Sequence, residues 1–321
     1  MTIPWRTVVR RLLSMMGTLL GVAIFVFIML RAIPGNQITA GLGTEAAALT
    51  PEQRADLEAY YGIDKPLIVQ FFSWLGNIAT GNLGFSSRSQ VSVASLTVDA
   101  LPVTIELAVL SIILALLIGI PLGMLSASKP DSARDAVGQI FGLAGLSIPS
   151  FLLASALLTV LSAKFGFHPN GEAYASLAEY PVRNLRQMLL PSLTLGFGIA
   201  APIMRTTRTA LLEVRSQDFV RTARAKGVGN RRLQVRHILG NALVPIVTIT
   251  GLQFGYLLGG AVVVEQIFSL PGIGRQVLIG IQGKEYAVVQ STVLVIALLF
   301  VVVNLLTDLL YRVIDPRVRA S

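Results

Sequence analysis

Residues 213–245, EVRSQDFVRTARAKGVGNRRLQVRHILGNALVP, form a polar island between two long apolar segments and carry seven Arg or Lys in their first twenty-four residues. Asp218 is placed to cap a short helix over Phe219 to Lys226 and Gly227 to end it, since a short acid at the start and a glycine at the stop suit those positions. Ala223 and Ala225 keep the surface of that helix low. Gly229, Asn230 and two further arginines follow the break. A small-residue helix with a glycine stop makes a poor core element and a good knob for another protein's groove. The residue types leave a second reading open, a basic loop held on anionic lipid at about 1 kcal/mol per cation.

Outward from the island the chain is apolar. Of 321 residues, 53% are hydrophobic and 13% charged, against roughly 25% charge in soluble domains, and the mean hydropathy is +0.70. A hydrocarbon core of about 30 Å needs roughly 20 apolar residues per helix. Runs of that kind lie at about 12–31, 99–127, 137–163, 188–210, 244–264 and 287–311. The chain therefore reads as one all-α domain, 1–321, a polytopic membrane protein with six transmembrane helices. A large outer cap, 36–98, follows the first helix, and the inner loop spans 213–243.

Charge sets the orientation. Trp5, Arg6, Arg10 and Arg11 precede the first run, which exceeds the ~7–15 apolar residues of a signal peptide and lacks a convincing small-x-small site. It reads as an uncleaved span. With both termini inside, the inner segments hold seventeen Lys and Arg and the outer loops eight, the asymmetry that orients membrane proteins. The pI near 10.2 thus reflects topology, and no nucleic-acid partner is expected.

The outer cap has turn signals and amphipathic patches. Thr50 and Gln53 make a capping box with Pro51 at the first helical position, and Tyr60, Tyr61, Phe71, Phe72 and Trp74 suit the membrane interface. Gly138, Gly142 and Gly145 allow close helix packing in the third run, which contains GLAGLSIPS. Glu106 is an ionisable group in the second run, so it must face protein or water, and either a substrate role or simple reach to the interface accounts for it. The fifth run, with Pro245, Gly251, Gly255, Gly259 and Gly260, has Gln253 and Tyr256 among its few polar groups. These are candidate pathway residues, although helix packing explains the glycines equally well. Asp308 near the inner end of the sixth run is placed to snorkel or to pair with Arg312.

No nucleophile with a base, no paired carboxylates at helical spacing and no metal-ligand cluster is visible in the sequence. The chain has no cysteine and two histidines, His168 and His237. A phosphate-binding G-x-x-x-x-G-K-[ST] is absent, since Gly283 and Lys284 are followed by Glu285 and Leu278 stands at the first glycine position. No enzyme and no ATPase site is expected in this chain, nor charges spaced through the spans as in proton-coupled carriers. Energy then enters elsewhere, and the inner loop is the place built to receive it.

The segment DFVRTARAKGVGNRRLQVRHILGNALVPIVT resembles the EAA loop of binding-protein-dependent ABC importer permeases, of the dipeptide, oligopeptide and nickel group. LTPEQ, YGIDKPLIVQFFSWLGNIATGNLGFS, LPVTIEL, GIPLG, SIPSF, LPSLTLG, MRTTRTALLEV, FSLPGIGR and the terminal DPRVR are similar to that group's first permease subunit, in the same order along nearly the whole chain. Arg221, Thr222 and Ala223 stand where the generic loop has Glu, Ala and Ala, as in the peptide group, which also has more residues between Gly227 and Pro245. Asn82 stands where the group usually has Asp.

The resemblance implies the type I ABC importer permease fold in the inner membrane of a prokaryote, with both termini cytoplasmic. It implies that Asp218, Phe219, Arg221, Thr222, Ala223, Arg224 and Gly227 couple the spans to ATPases, with Gln253, Tyr256, Gly259 and Glu106 as pathway residues. The expected partners are a second homologous permease subunit, two cytoplasmic ABC ATPase subunits that bind ATP and Mg, an extracytoplasmic substrate-binding protein, and the lipid bilayer. No cofactor or metal belongs to this chain. Short peptides are the expected cargo, with nickel or another small solute as the alternative. A secondary transporter and a membrane scaffold are rivals of other classes. Gly227→Pro or Ala223→Glu is expected to uncouple ATP hydrolysis from uptake without preventing insertion.

Overall fold

In a bilayer each backbone polar group must be satisfied within the protein, which favours helices wherever apolar runs are long. The computed structural model, which describes residues 5–33, 38, 46–166, 172–229 and 232–314, is accordingly helical. Its elements are α1 (Trp5–Ala32), α2 (Pro51–Tyr61), α3 (Leu67–Ala79), a hairpin of β1 (Phe85–Ser86) and β2 (Val91–Ser92), and α4 (Val93–Ser128). They continue as α5 (Ala133–Ser147), α6 (Ser150–Phe165), α7 (Pro181–Ser216), α8 (Asp218–Ala225), a π-helix (Leu233–Leu239), α9 (Gly240–Ile267), α10 (Ile273–Gln282) and α11 (Tyr286–Ile314).

Among the described residues, five stretches are long and apolar enough to cross a membrane: Val9–Ala32, Val93–Ser128, Pro181–Ser216, Arg236–Leu257 and Tyr286–Thr307. A sixth is the pair α5 and α6, which meet at 100°. The stretch expected as one span, 137–163, is thus two helices. Pro149 lacks an amide donor and disfavours helical geometry at Ile148, which is extended at φ −84°, ψ 116°. The Asp308 and Arg312 side chains, Tyr61's side chain, His168 and the terminal DPRVR lie outside the description.

The chain divides into two compact units. One holds the segment up to Val103 and Pro271–Val301. In it α2 starts on the expected capping box: the Gln53 amide donates to Thr50 Oγ1 at 3.2 Å and the Thr50 amide to Gln53 Oε1 at 3.0 Å. Helix α3 is turned so that Phe71 and Trp74 pack on Phe27 of α1, with ring centroids 5.2 and 6.2 Å away. Of the expected interfacial aromatics, these two are therefore committed to α1, while Phe72 and Tyr60 are exposed. Arg31 donates to Gln70 Oε1 through Nε (3.1 Å) and Nη2 (2.7 Å) and stacks its guanidinium 3.4 Å over the Phe27 ring. Asn82 Oδ1 accepts from the Gly84 amide at 3.0 Å, a turn contact that an aspartate oxygen would make equally. The hairpin is fastened to Glu285, a buried carboxylate that accepts from Ser86 Oγ at 2.9 Å and the Arg88 amide at 3.0 Å.

The other unit holds Thr104–Leu270 and the chain from Val302 onward. Its axis is α7, the most buried of the membrane-length helices, which carries Pro191 and Pro202 and packs against α5, α6 and α9. Small residues let the backbones approach. A Cβ on Gly123 of α4 would come 2.7 Å from the Met204 carbonyl, and one on Gly145 of α5 would come 2.7 Å from the Ala201 Cβ. Gly138 and Gly142 are buried in the same seam, so helix contact in the bilayer rests on close van der Waals packing.

Candidate functional site

The loop after α7 is built by local chemistry. Helix α7 stops at Ser216, Gln217 turns extended (φ −74°, ψ 148°), and α8 begins at Asp218. Asp218 is therefore not the cap, as the sequence had led us to expect. The capping position is Gln217, whose side chain makes no cap bond. Asp218 sits inside the first turn, where its charge complements the helix dipole, and its carbonyl accepts from Thr222 Oγ1 at 3.0 Å. The stop is the expected one. Gly227 is left-handed at φ +75°, its amide donates to the Arg224 carbonyl at 3.0 Å, and the Val228 amide donates to the Ala223 carbonyl at 3.2 Å. This doubly bonded closure requires the positive φ that glycine adopts without strain.

Helix α8 has two unlike sides. Phe219, Arg221, Thr222, Arg224 and Ala225 are exposed. Val220 is 1% exposed and lies in a cluster with Ala127 at the end of α4, Leu211 and Val214 of α7, Leu233 and Ile238 of the π-helix, and Ala242 and Ile246 of α9. Ala223 and Val228 pack against the same cluster. The reading of Ala223 as outer surface is thus corrected: the residue is half-buried and faces the core, because it lies three residues beyond Val220 on one helix face. Burying Val220 contributes roughly 1.5–3 kcal/mol. The ion pair between Arg221 and Asp218, 3.6 Å apart and exposed, adds little.

Two polar ties flank this cluster. Arg215 of α7 donates to the Ala127 carbonyl and, at 2.8 Å, to Gln234 Oε1 of the π-helix. Asp135 of α5 is buried and accepts from Arg208 Nε and Nη2 at 2.7 and 2.6 Å, from Ser126 Oγ at 2.5 Å and from the Asp131 amide at 3.0 Å. Sequence reasoning singled out neither tie. Asp135 was visible as an acid beside an apolar run, but its partner lies 73 residues away. A cavity of about 460 Å³ opens beside α7, lined by Pro202, Arg205, Thr206, Thr209, Glu213 and Pro245 among others.

The expected pathway residues are dispersed. Gln253 is half-buried and Tyr256 is 75% exposed on α9, one turn apart. Gly259 lies in the same helix, at a position whose surroundings fall outside the description. Glu106 of α4 accepts from Tyr174 Oη at 2.9 Å, and its Oε1 is buried without a partner. Burial first, and then the Glu106 contact, push the Tyr174 phenol far above its usual range, so it remains a donor at neutral pH. Among the described residues no hydrogen bond or ion pair joins Glu106 to Gln253 or Tyr256. Nor does any group of three or more His, Asp or Glu side chains there gather as a metal site.

The described residues make a helical membrane protein with a short, one-sided helix packed on a buried cluster, and comparison with known proteins gives its class and family. Residues 119–320 match the binding-protein-dependent transport system inner membrane component, and residues 5–108 match the N-terminal part of such membrane components. The chain is 39% identical over 312 residues to the glutathione transport system permease protein GsiC of Pectobacterium atrosepticum, covering 97% of this chain and 98% of the relative. It is 37% identical over 313 residues to the oligopeptide transport system permease protein AppB of Bacillus subtilis, with the same coverage. The solved methionine ABC transporter MetNI, in inward facing conformations, has a chain of like fold. The TM-score is 0.52 at 20% identity, covering 68% of this chain and 96% of that chain. The chain belongs to the binding-protein-dependent transport system inner membrane components. It is a multi-pass inner-membrane permease subunit of the type I ABC importer fold, and membership carries with it an ATPase and a substrate-binding protein as partners.

Proposed function

We propose that this permease subunit carries short peptides into the cytoplasm by alternating access, driven through α8 by ATPase subunits. The observation that carries this reading is the mooring of α8. Its outward side is free to dock, while Val220 ties it to a cluster shared by α4, α7, the π-helix and α9. A displacement of α8 therefore reaches four elements at once. The coupling surface is Asp218, Phe219, Arg221, Thr222 and Arg224, with Ala223 and Gly227 holding the helix in shape.

In this reading two cytoplasmic ATPases bind ATP and Mg, a second permease subunit completes the pathway, and this chain has no nucleotide site of its own. Both termini and the 213–243 loop lie in the cytoplasm, as the excess of Lys and Arg supports. Gln253, Tyr256 and Gly259 line the pathway, with Glu106 near its outer mouth. Relatives named for glutathione and oligopeptides support a peptide cargo.

The test is uptake of labelled di-, tri- and tetrapeptides into proteoliposomes holding the complete complex and its binding protein, with ATP hydrolysis followed in parallel. Gly227→Pro removes the amide that bonds Arg224 and forces φ negative, so peptide uptake should be lost while hydrolysis continues. Gly227→Ala meets no atom within 4 Å and costs about 1–2 kcal/mol of backbone strain, so most uptake should survive. Normal uptake by Gly227→Pro would remove α8 from the mechanism. Competition by a nickel salt but not by peptides would reassign the cargo.

A further inference from the structure

Helix α3 lies in the outer cap, yet its chemistry does not suit water. Its sequence, LIVQFFSWLGNIA, has no charged residue. Leu67, Ile68, Val69 and Phe72 are 58%, 72%, 47% and 64% exposed. An apolar stretch of this length is a buried core helix or an interfacial or re-entrant segment, and the exposure of these four side chains excludes a core helix. The preceding α2, PEQRADLEAYY, is by contrast polar.

Two independent contacts fix the depth of α3. Gln70 is level with Arg31, the cation at the outer end of the first span, and Phe71 and Trp74 are level with Phe27, one turn inside it. The turn from Gln70 to Trp74 thus descends alongside the last turn of α1. Beyond the end of α3, the Leu83 carbonyl accepts from Ser291 Oγ at 2.7 Å, and a Cβ on Gly84 would come 2.9 Å from that of Ala287. Ala287 and Ser291 occupy the first two turns of the span Tyr286–Thr307. Both the middle of α3 and the loop after it therefore lie below the ends of membrane-spanning helices.

We propose that α3 is embedded in the outer leaflet and that its face of Leu67, Ile68, Val69 and Phe72 rests on lipid acyl chains. On the neighbouring α1, Ile24, Phe25 and Ile28 are exposed as well. Asp64 and Lys65, exposed just before the helix, mark its entry from water. Arg31 anchors it at the boundary through Gln70. The floor of the cap is then a membrane-inserted element, while α2 stands in water.

The chain has no cysteine, so single labels are direct. Ile68→Cys, Val69→Cys, Phe72→Cys and, as the water-exposed control on α2, Asp56→Cys are made in the full chain and co-expressed with its transport partners. Assembly is checked by co-purification. In intact spheroplasts a membrane-impermeant maleimide should label Asp56→Cys, and labelling should be lost at the three α3 positions. In phosphatidylcholine–phosphatidylglycerol nanodiscs, a bimane on any α3 position should be quenched by lipid carrying a nitroxide high on its acyl chain, and a bimane at Asp56→Cys should not. Labelling of the α3 positions at the rate of Asp56→Cys would overturn the proposal. So would protection from maleimide without quenching by lipid, which would assign the face to a protein partner. Three positions on one face keep the reading intact if one variant fails to assemble.

Discussion

At the scale of single residues, Asp135 and Arg208 show how polarity is used inside an apolar body. The carboxylate has four donors around it and Arg208 supplies two of them. Deleting one member of such a pair strands the other, whereas replacing both by apolar groups of like volume is far better tolerated. Arg208→Met should therefore lower the thermal midpoint of the purified complex more than Asp135→Leu/Arg208→Met does, as read by fluorescence-monitored unfolding. Equal losses would mean that the pair acts through something other than its charge. What the sequence discloses at this scale depends on range. Gly227 was legible because a left-handed stop is a local matter, and the Thr50–Gln53 box for the same reason. The partner of Asp135 was not, because the two residues meet only when α5 packs on α7. Ala223 was misjudged since a small side chain suits an exposed face and a tight contact equally, and only the position of Val220 decides between them.

At the scale of elements, the spacing of backbones around α7 governs what the helices tolerate. A Cβ on Gly123 would stand 2.7 Å from both the Met204 carbonyl and the Thr207 Cβ, whereas one on Gly240, at the start of α9, would meet nothing within 4 Å. Overpacking costs about 1–3 kcal/mol or more, and helical Gly→Ala at an open site gains up to about 1 kcal/mol. Gly123→Leu should accordingly reduce the amount of assembled complex recovered from membranes, while Gly240→Ala should leave it unchanged or raise it. Quantitative blotting against a co-expressed ATPase subunit reads both. The long apolar runs made most helices legible. The right-angle break at Ile148–Pro149 was less so, because a proline within an apolar run is compatible with a kinked span as well as with two helices. The π-helix had no local signature that the sequence reading used; Leu233 and Ile238 within it are buried in the cluster shared with α4, α7, α8 and α9.

At the scale of the whole molecule, the distribution of charge separates energy sources. Candidate carriers of a proton would need ionisable groups spread through the spans, whereas nine of the 26 Lys and Arg here fall between Arg205 and Arg236, at and beside the loop that bears α8. Uptake into cells should persist when a protonophore collapses the proton gradient and stop when ATP is depleted, measured with a labelled dipeptide over short times. The reverse outcome would move the chain to another class of transporter. The membrane class was readable from composition, and the permease class from the resemblance of a loop of thirty-odd residues and of further motifs along the chain. Its cargo was not, because in the proposed mechanism a delivering protein selects the solute before this chain meets it.

The π-helix from Leu233 to Leu239 runs without a break into α9. A turn closed over five residues houses one more than a turn closed over four, with no bond left unmade. A surplus residue is stored here inside a helix instead of in a bulging loop. From Leu233 to Ile267 the chain is one continuous rod with a thickened collar, and a push on its start is passed along where a slack cord would absorb it.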